Sequence, residues 1–491
     1  MEFEAVIGLE IHIELNSATK LFCDCPNNPG DPPNLNTCPV CLWHPGAVPG
    51  LSRQAVEKAA LLCLSLDGEL QARSAFDQKV YYYPDLPKGY QLSQAHFPLC
   101  RGGGIAITDE EGNTRTPRIH HIHMEEDVAK LIHETEGRRP VSLVDFNRAG
   151  APLVEIVTEP DFRTPFEAME FLKALRARVR YSGASECSME KGSMRVDANI
   201  SIRPRGTTEL NPKVEVKNMN SIRHVGDAAA HEISRQTDAV LRGEKIVSHT
   251  RLWDPEKKAT LPMRAKFEGP VVPDPTLPVV ELDPRWVAEL RSRLPEMPAA
   301  RARRYVERHG LPAEEAAFLS ADPDTAAYFD ELTREGAHPR TGFHWIATQL
   351  LPGLRERGLE LEASPVSPRR LAALLALLAR EEINAGAARE VLTAMFGDDA
   401  SPETIVARRG FAQVSDQDQL AELVDRVLAE NPAAAEDVRA GKDKALGFLV
   451  GRIMKASGGK ANPRVLNRIL TEKLGRGDDG SLGRLRPAGP K

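Results

Sequence analysis

The sequence predicts an α+β fold, sheet first and helices after it, on three observations. Through residues 1–290 of its 491, short runs alternate apolar and polar side chains between Gly and Pro punctuation, the period-two signature of strands. Beyond Trp286 the apolar spacing changes to three and four, the helical period. Hydrophobic content of 41% with 27% charged residues suits a globular core, and no run approaches the roughly 18 apolar residues of a membrane span.

The first strand is the most informative. In Ala5-Val-Ile-Gly-Leu-Glu-Ile-His-Ile-Glu-Leu15 every odd position is apolar, so Glu10, His12 and Glu14 share the other face. Two carboxylates flanking an imidazole can bind a divalent metal, although an ordinary surface strand has the same pattern. Next come Cys23-x-Cys25 and Cys38-x-x-Cys41, four of seven cysteines, in a stretch rich in Pro, Asn and Gly. Met1-Glu2-Phe3-Glu4 lacks the basic stretch and apolar core of a secretion signal, which predicts a cytoplasmic protein. Short-spaced thiolates in such a chain read as a tetrahedral zinc site, structural because four sulfurs leave no open position. Four unrelated free cysteines are the alternative.

Three further strands repeat the first one's pattern. In Arg118-Ile-His-His-Ile-His-Met-Glu-Glu-Asp127, the residues His121, His123 and Glu125 share a face. In Arg195–Arg203 the odd positions Arg195, Asp197, Asn199, Ser201 and Arg203 oppose an apolar face, and Lys213, Glu215 and Lys217 do the same in the next strand. Carboxylates with imidazoles, amides and cations on one sheet face suit phosphoryl transfer. Magnesium needs a few oxygen ligands plus substrate phosphates, and Arg or Lys neutralises the transferred phosphoryl group. There is no G-x-x-x-x-G-K-[ST] loop, and Gly102-Gly103-Gly104 reads as a hairpin turn, so any ATP site is of another kind.

The helical part divides in two. Ser367-Pro368 caps a helix with Leu371, Leu374, Leu375 and Leu378 on its buried stripe. From near Ser415, one stripe runs through Leu420, Leu423, Val424, Val427 and Leu428. A second runs through Leu446, Leu449, Val450, Ile453 and Met454. Asn462-Pro463 caps a last helix with Val465, Leu466, Ile469 and Leu470 inward. Residues 439–475 hold nine Lys/Arg against two acidic residues, +7 in a chain of net −6, which leaves −13 elsewhere. A basic module on an acidic body predicts that one end grips a polyanion, with a solvated lysine-rich helix pair as the alternative. The Gly/Arg/Pro-rich residues 476–491 read as disordered.

Several blocks in order resemble the B subunit of the tRNA-dependent amidotransferases. They are Gly8-Leu-Glu-Ile-His12 with the Cys-x-Cys and Cys-Pro-Val-Cys-Leu block, Tyr81–Gln94, His123-Met-Glu-Glu-Asp127 and Asp145–Ile156. Met189–Ser201, Lys213–Ser221, Gly447–Ser457 and Gly459-Lys-Ala-Asn-Pro463 follow. The resemblance implies a carbon–nitrogen ligase with glutamine as amido donor. The B subunit in that family uses ATP to phosphorylate the side-chain carboxylate of Asp-tRNA(Asn) or Glu-tRNA(Gln). Ammonia from the amidase, the A subunit, displaces the phosphate, and a small C subunit makes the complex a heterotrimer. The resemblance also implies a cradle-shaped catalytic domain over residues 1–290 that includes the zinc loop 23–41. A helical domain over 291–408 and a tRNA-binding helical tail over 409–475 would follow.

Carried over by position, Glu10 and His12 match the family's metal- and phosphate-handling pair, Glu125 and Glu126 its acidic pair, and Asp197 a further magnesium ligand. Glu190 is an added acidic candidate. Lys79, Lys88 and Arg195 are assigned to phosphate contact on charge and position. Tyr81–Tyr83 suit either stacking on a base or packing within the protein. Two departures stand out. Phe267–Pro278 is shorter than the family's corresponding segment and lacks its aromatics, and Trp43-His44 replaces a common glycine, a change expected to be local to the zinc loop. A metal-dependent nuclease and a non-catalytic RNA-binding scaffold are the competing readings. ATP hydrolysis that depends on aminoacyl-tRNA separates both from the ligase.

Overall fold

A computed structural model describes residues 2–136, 139–263, 269–411, 417–440, 442–457, 461 and 463–474. The chain forms two compact units, one reaching to Arg304 and including Ser320–Pro323, the other comprising Tyr305–Leu319 and the chain from Asp324 onward. The first is sheet-rich and the second helical, an α+β arrangement in sequence order.

The first unit begins with β1 (Phe3–Glu14), α1 (Arg53–Ser65), β2 (Glu69–Leu70), β3 (Arg73–Val80), β4 (Tyr90–Phe97) and β5 (Cys100–Arg101). Then come β6 (Ile107–Thr108), β7 (Thr114–Arg115), β8 (Ile119–Glu126), β9 (Lys130–Glu136), β10 (Arg139–Asp145), β11 (Pro152–Thr158) and α2 (Pro165–Tyr181). It continues through β12 (Met194–Pro204), β13 (Val214–Lys217), α3 (Ile222–Leu241), β14 (His249–Asp254) and β15 (Ala259–Pro262). Nine of these strands form one sheet in the order β15-β14-β13-β12-β1-β11-β8-β5-β2. The longest strand, β1, lies in its middle because its odd positions, Ile7 to Ile13, are fully apolar and bury completely.

Three helices cover that apolar face. Ala59 and Leu62 of α1, Phe171, Leu172 and Leu175 of α2, and Val225 and Ala228 of α3 share one core with Ile11, Ile156, Ile122 and Ile200. Each helix starts where a side-chain oxygen satisfies a free N–H: Ser52 accepts from Ala55, Thr164 from Glu167 and Ser221 from His224. The even positions of β1 are therefore left on the open face. The helix Pro284–Arg293 belongs to this unit as well, since Leu290 and Trp286 pack on Ala60, Leu61 and Leu64 of α1.

Gly102–Gly104 is not a hairpin turn. The chain passes the end of α1 there so closely that a β-carbon on Gly103, at φ +100°, would lie 2.6 Å from the Leu66 carbonyl oxygen. Ahead of that crossing, β3 and β4 form a hairpin whose second strand packs on β8, where the Gln94 side chain accepts from the Met124 N–H at 3.0 Å. In the shortened segment, residues 264–268 lie outside the described residues. Beyond them Val271 and Val272 pair with Lys79 and Gln78 of β3.

In the second unit the helix Pro368–Ala379 begins at Ser367, whose side chain accepts from the Arg370 N–H. Helices Gln417–Glu430, Pro432–Arg439, Asp443–Ala456 and Pro463–Lys473 bury Leu420, Val424, Leu449, Ile453, Leu466 and Leu470 in a core of their own. Asn462 and the end 476–491 lie outside the described residues.

Candidate active site

Strand pairing puts the polar positions in rows. Across β1 and β11, His12 faces Glu155, and across β11 and β8, Glu155 faces His123. On the other side Glu10 faces Asp197, and Asn199 faces Glu215. The open face thus carries two groups whose ligand atoms lie within 4.8 Å of one another: His12, Glu125 and Glu155, and Glu10, Asp197 and Glu215.

In the first group the Glu155 Oε2 lies 3.2 Å from His123 Nε2 and 3.6 Å from His12 Nε2, and His12 Nε2 is 3.4 Å from Glu125 Oε1. Burial works against a charged His12, but its hydrogen bond to Glu155 and the charges of Glu125, Glu155 and Asp197 outweigh that and raise it to about 9. The surrounding carboxylates therefore favour the protonated imidazole. Burial pushes Glu125 up, partly offset by His12, whereas hydrogen bonds from His12 and His123 overcome the burial of Glu155 and hold it well below the carboxylate range. Two neighbouring carboxylates thus have opposite tendencies, one ionised and one inclined to keep a proton.

In the second group all donors are oxygens. Lys217 bridges Asp197 and Glu215, 2.7 Å from the latter, while Glu10 accepts from Asn199 at 2.8 Å and lies 3.7 Å from Lys213. Buried polar atoms remain unpaired on this face: Asn199 Oδ1 and His123 Nδ1 have no partner among the described residues. An all-oxygen set suits a hard divalent cation, and carboxylates with an imidazole accept magnesium, manganese or zinc.

The family described as the GatB/GatE catalytic domain matches residues 5–288, and the GatB domain matches residues 327–474. The B subunit of an aspartyl/glutamyl-tRNA(Asn/Gln) amidotransferase from Syntrophus aciditrophicus (strain SB) is 70% identical over 96% of this chain and 99% of its own length. The chain belongs to that B-subunit family. Relatives of the same description in Carboxydothermus hydrogenoformans and Moorella thermoacetica are 43% and 44% identical over 96% of this chain. They are matched over 99% and 100% of their own lengths.

Within this amidotransferase family member, the sequence-predicted residues separate. Glu10, His12, Glu125 and Asp197 converge on the open face. Glu126 does not join them. As the next residue on β8 it points to the other side, where Lys88 pairs with it and the Leu92 N–H donates to its carboxylate at 2.8 Å. Arg195 stands on the open face beside Glu125 and Glu14, held at 2.7 Å by Asp127, which Arg148 also approaches at 3.4 Å. Lys79 is exposed, and its charge favours the ionised form of Glu125. Glu190 is exposed in the turn before β12 and in neither acidic group. Tyr82 and Tyr83 are exposed, 78% and 61%, whereas Tyr81 is half-buried and donates to Gln91.

Sequence reasoning missed Glu155. Its signal is the lone charge within Pro152-Leu-Val-Glu-Ile-Val-Thr158, a carboxylate that an otherwise apolar strand buries. It also gave no role to Asp127, the buried anchor of Arg195.

The four cysteines form a third group of the same closeness, 23 and 25 facing 38 and 41. The Cys38 N–H donates to Cys41 Sγ at 3.2 Å, and the fully buried Lys20 donates to the Asn36 and Phe146 carbonyls beside them. Four sulfurs with one cation nearby are a donor set that zinc satisfies.

Proposed function

We propose that the open face is where ATP activates the side-chain carboxylate of aspartate or glutamate carried by tRNA(Asn) or tRNA(Gln). A carboxylate oxygen attacks the γ-phosphorus and ADP leaves, which gives an acyl phosphate. Ammonia then attacks the acyl carbon, inorganic phosphate leaves, and the side chain becomes an amide. The observation that carries this reading is the convergence of two carboxylate groups with lysine, arginine and imidazole on one face, in a chain of this family.

Glu10, Asp197 and Glu215, and His12, Glu125 and Glu155, are the residues that would hold magnesium. When bound, the ion supplies neutralisation of charge on the phosphate oxygens. Arg195 and Lys79 flank Glu125 and would orient phosphate by charge-assisted hydrogen bonds. His12 would join the magnesium-holding set as the neutral imidazole, giving up its proton to solvent as the ion binds. Glu126, with Lys88 behind β8, would fix the strand end that presents Glu125. Glu190 stands apart and would touch substrate only at the rim. Cys23, Cys25, Cys38 and Cys41 would hold structural zinc.

Ammonia would come from a glutaminase, because the sequence has no Ser-Ser-Gly-rich amidase segment. We therefore infer two partners in a heterotrimer, an amidase (the A subunit of the family's complexes) with a small third protein (the C subunit). Cytoplasmic residence and a grip on the tRNA body by the 409–475 module belong to the same reading. No described helix is long and apolar enough to cross a membrane.

The test is Glu125→Gln in the assembled complex, with ammonium replacing glutamine. ATP-dependent amidation should be lost while glutaminase activity persists. Normal amidation by this variant would remove Glu125 from the site and with it this reading of the face.

A further inference from the structure

Trp43 has a backbone that a bulky residue avoids. It lies at φ +54°, in the left-handed region, directly after the second cysteine pair. The turn is set by the cysteine loop itself. The N–H groups of Leu42, Trp43 and His44 donate to the carbonyls of Cys38, Val40 and Pro39 at 3.0, 3.0 and 2.8 Å. A strained conformation persists only where its surroundings impose it, so the question is what the indole does there.

The indole leaves its own loop. The Lys88 ammonium lies 5.3 Å from the centroid of the Trp43 ring and 5.4 Å from that of Tyr90, and the two rings meet edge to face at 5.3 Å. The Lys88 side chain is only 8% exposed. Its ion-pair partner is Glu126, whose carboxylate also accepts from Leu92 and whose backbone carbonyl accepts from Gln91 at 2.6 Å. Cys23, Cys41, Lys20, Lys88 and Glu126 line the narrow gap beneath the indole. The change at Trp43 is thus not local to the cysteine loop. A large π-face at this point meets a desolvated cation, the condition under which the attraction is strongest.

We propose that Trp43 is a positioning residue for the reaction. With Tyr90 it cages the Lys88 ammonium, Lys88 fixes Glu126, and Glu126 fixes the end of β8 that presents Glu125. The cysteine loop therefore acts on the open face through Trp43, beyond any role as a fold staple. The consequence for amidation rests on the function proposed above, whereas the cage itself does not.

The experiment uses the assembled complex with Trp43→Gly, Trp43→Phe and the unaltered chain. Glycine suits the left-handed backbone, and the strain it relieves offsets the lost ring contacts, so Trp43→Gly should fold and melt close to the unaltered chain. Trace acetylation by acetic anhydride, read by mass spectrometry against the exposed Lys257, measures how well Lys88 is shielded. Trp43→Gly should raise Lys88 labelling about fivefold, the ratio that loss of a ~1 kcal/mol cation–π contact implies. It should lower the amidation kcat by a similar factor, with KM for tRNA unchanged, and Trp43→Phe should recover most of both. Unchanged Lys88 labelling would overturn the cage. Raised labelling with unchanged kcat would overturn the positioning role. Failure of the amidation chemistry itself would appear separately, as normal turnover by Glu125→Gln.

Discussion

Glu155→Gln isolates the residue on which the first carboxylate group turns. The substitution keeps shape and one accepting oxygen and deletes the charge that faces His12 at 3.6 Å and His123 at 3.2 Å. At an effective dielectric constant of about 20, one such pair at 3.6 Å is worth roughly 5 kcal/mol before the cost of burying both charges. Desolvation removes about half of that in a site this enclosed, which leaves about 2–3 kcal/mol, or roughly 30–150-fold in a binding constant. A divalent ion held by the same carboxylate should lose at least as much. The assay is Mn2+ titration of the assembled complex by electron paramagnetic resonance, beside amidation with ammonium. The expected outcome is at least about a 30-fold weaker first Mn2+ site and a matching loss of turnover. Unchanged Mn2+ affinity with turnover within about threefold of the unaltered chain would refute the reasoning. Glu155 would then be only a buried partner of His123.

Three further outcomes are expected. Elemental analysis should find one zinc per chain, and Cys38→Ser should lower it and release the remaining loop thiols to titration, since a closed site contributes folding energy. A stoichiometry near zero with all four thiols reactive would sink the zinc reading. Ending the chain near residue 410 should raise the aminoacyl-tRNA concentration needed and flatten its salt dependence, because the segment charged +7 neutralises phosphates and releases counterions. An unchanged salt slope would make the tail a solvated helix bundle. In the core, burial pushes Glu232 up, but hydrogen bonds from Arg235, Gln236 and Thr260 hold its carboxyl below the ordinary value. Its stabilisation is present above the unfolded-state pKa of about 4.3 and is lost as pH falls through the depressed folded value. Glu232→Gln should cost about 3 kcal/mol at pH 7 and blunt acid unfolding below about pH 4, measured by denaturant melts across pH.

Alternation made one face of the site legible and pairing made the rest. Period two in β1, β8 and β12 puts Glu10 and His12, His123 and Glu125, and Arg195 and Asp197 on the open side. The same rule sends Glu126, adjacent to Glu125, to the other side, away from the face on which the family's acidic pair was expected. What alternation cannot supply is which strands are neighbours. Glu10 meets Asp197, and His12 meets Glu155, only because β1 lies between β12 and β11. That order separates one expected ligand set into two groups. Glu155 was hidden because a single charge in an apolar strand looks like an exception until a histidine is found on each side of it.

Trp43 shows the same limit at the scale of one side chain. In the sequence it is an oddity two residues beyond a cysteine, and its neighbours suggest nothing beyond the loop. Its significance depends on a backbone angle and on a lysine 45 positions later in the numbering, brought beside it when the hairpin of β3 and β4 packs on β8. The contact links the four-cysteine loop to a buried ion pair. Each side of the link is recognisable in the sequence, and only the fold joins them. The loop's own hydrogen bonds set the left-handed turn, and what tryptophan adds there is an indole face over Lys88.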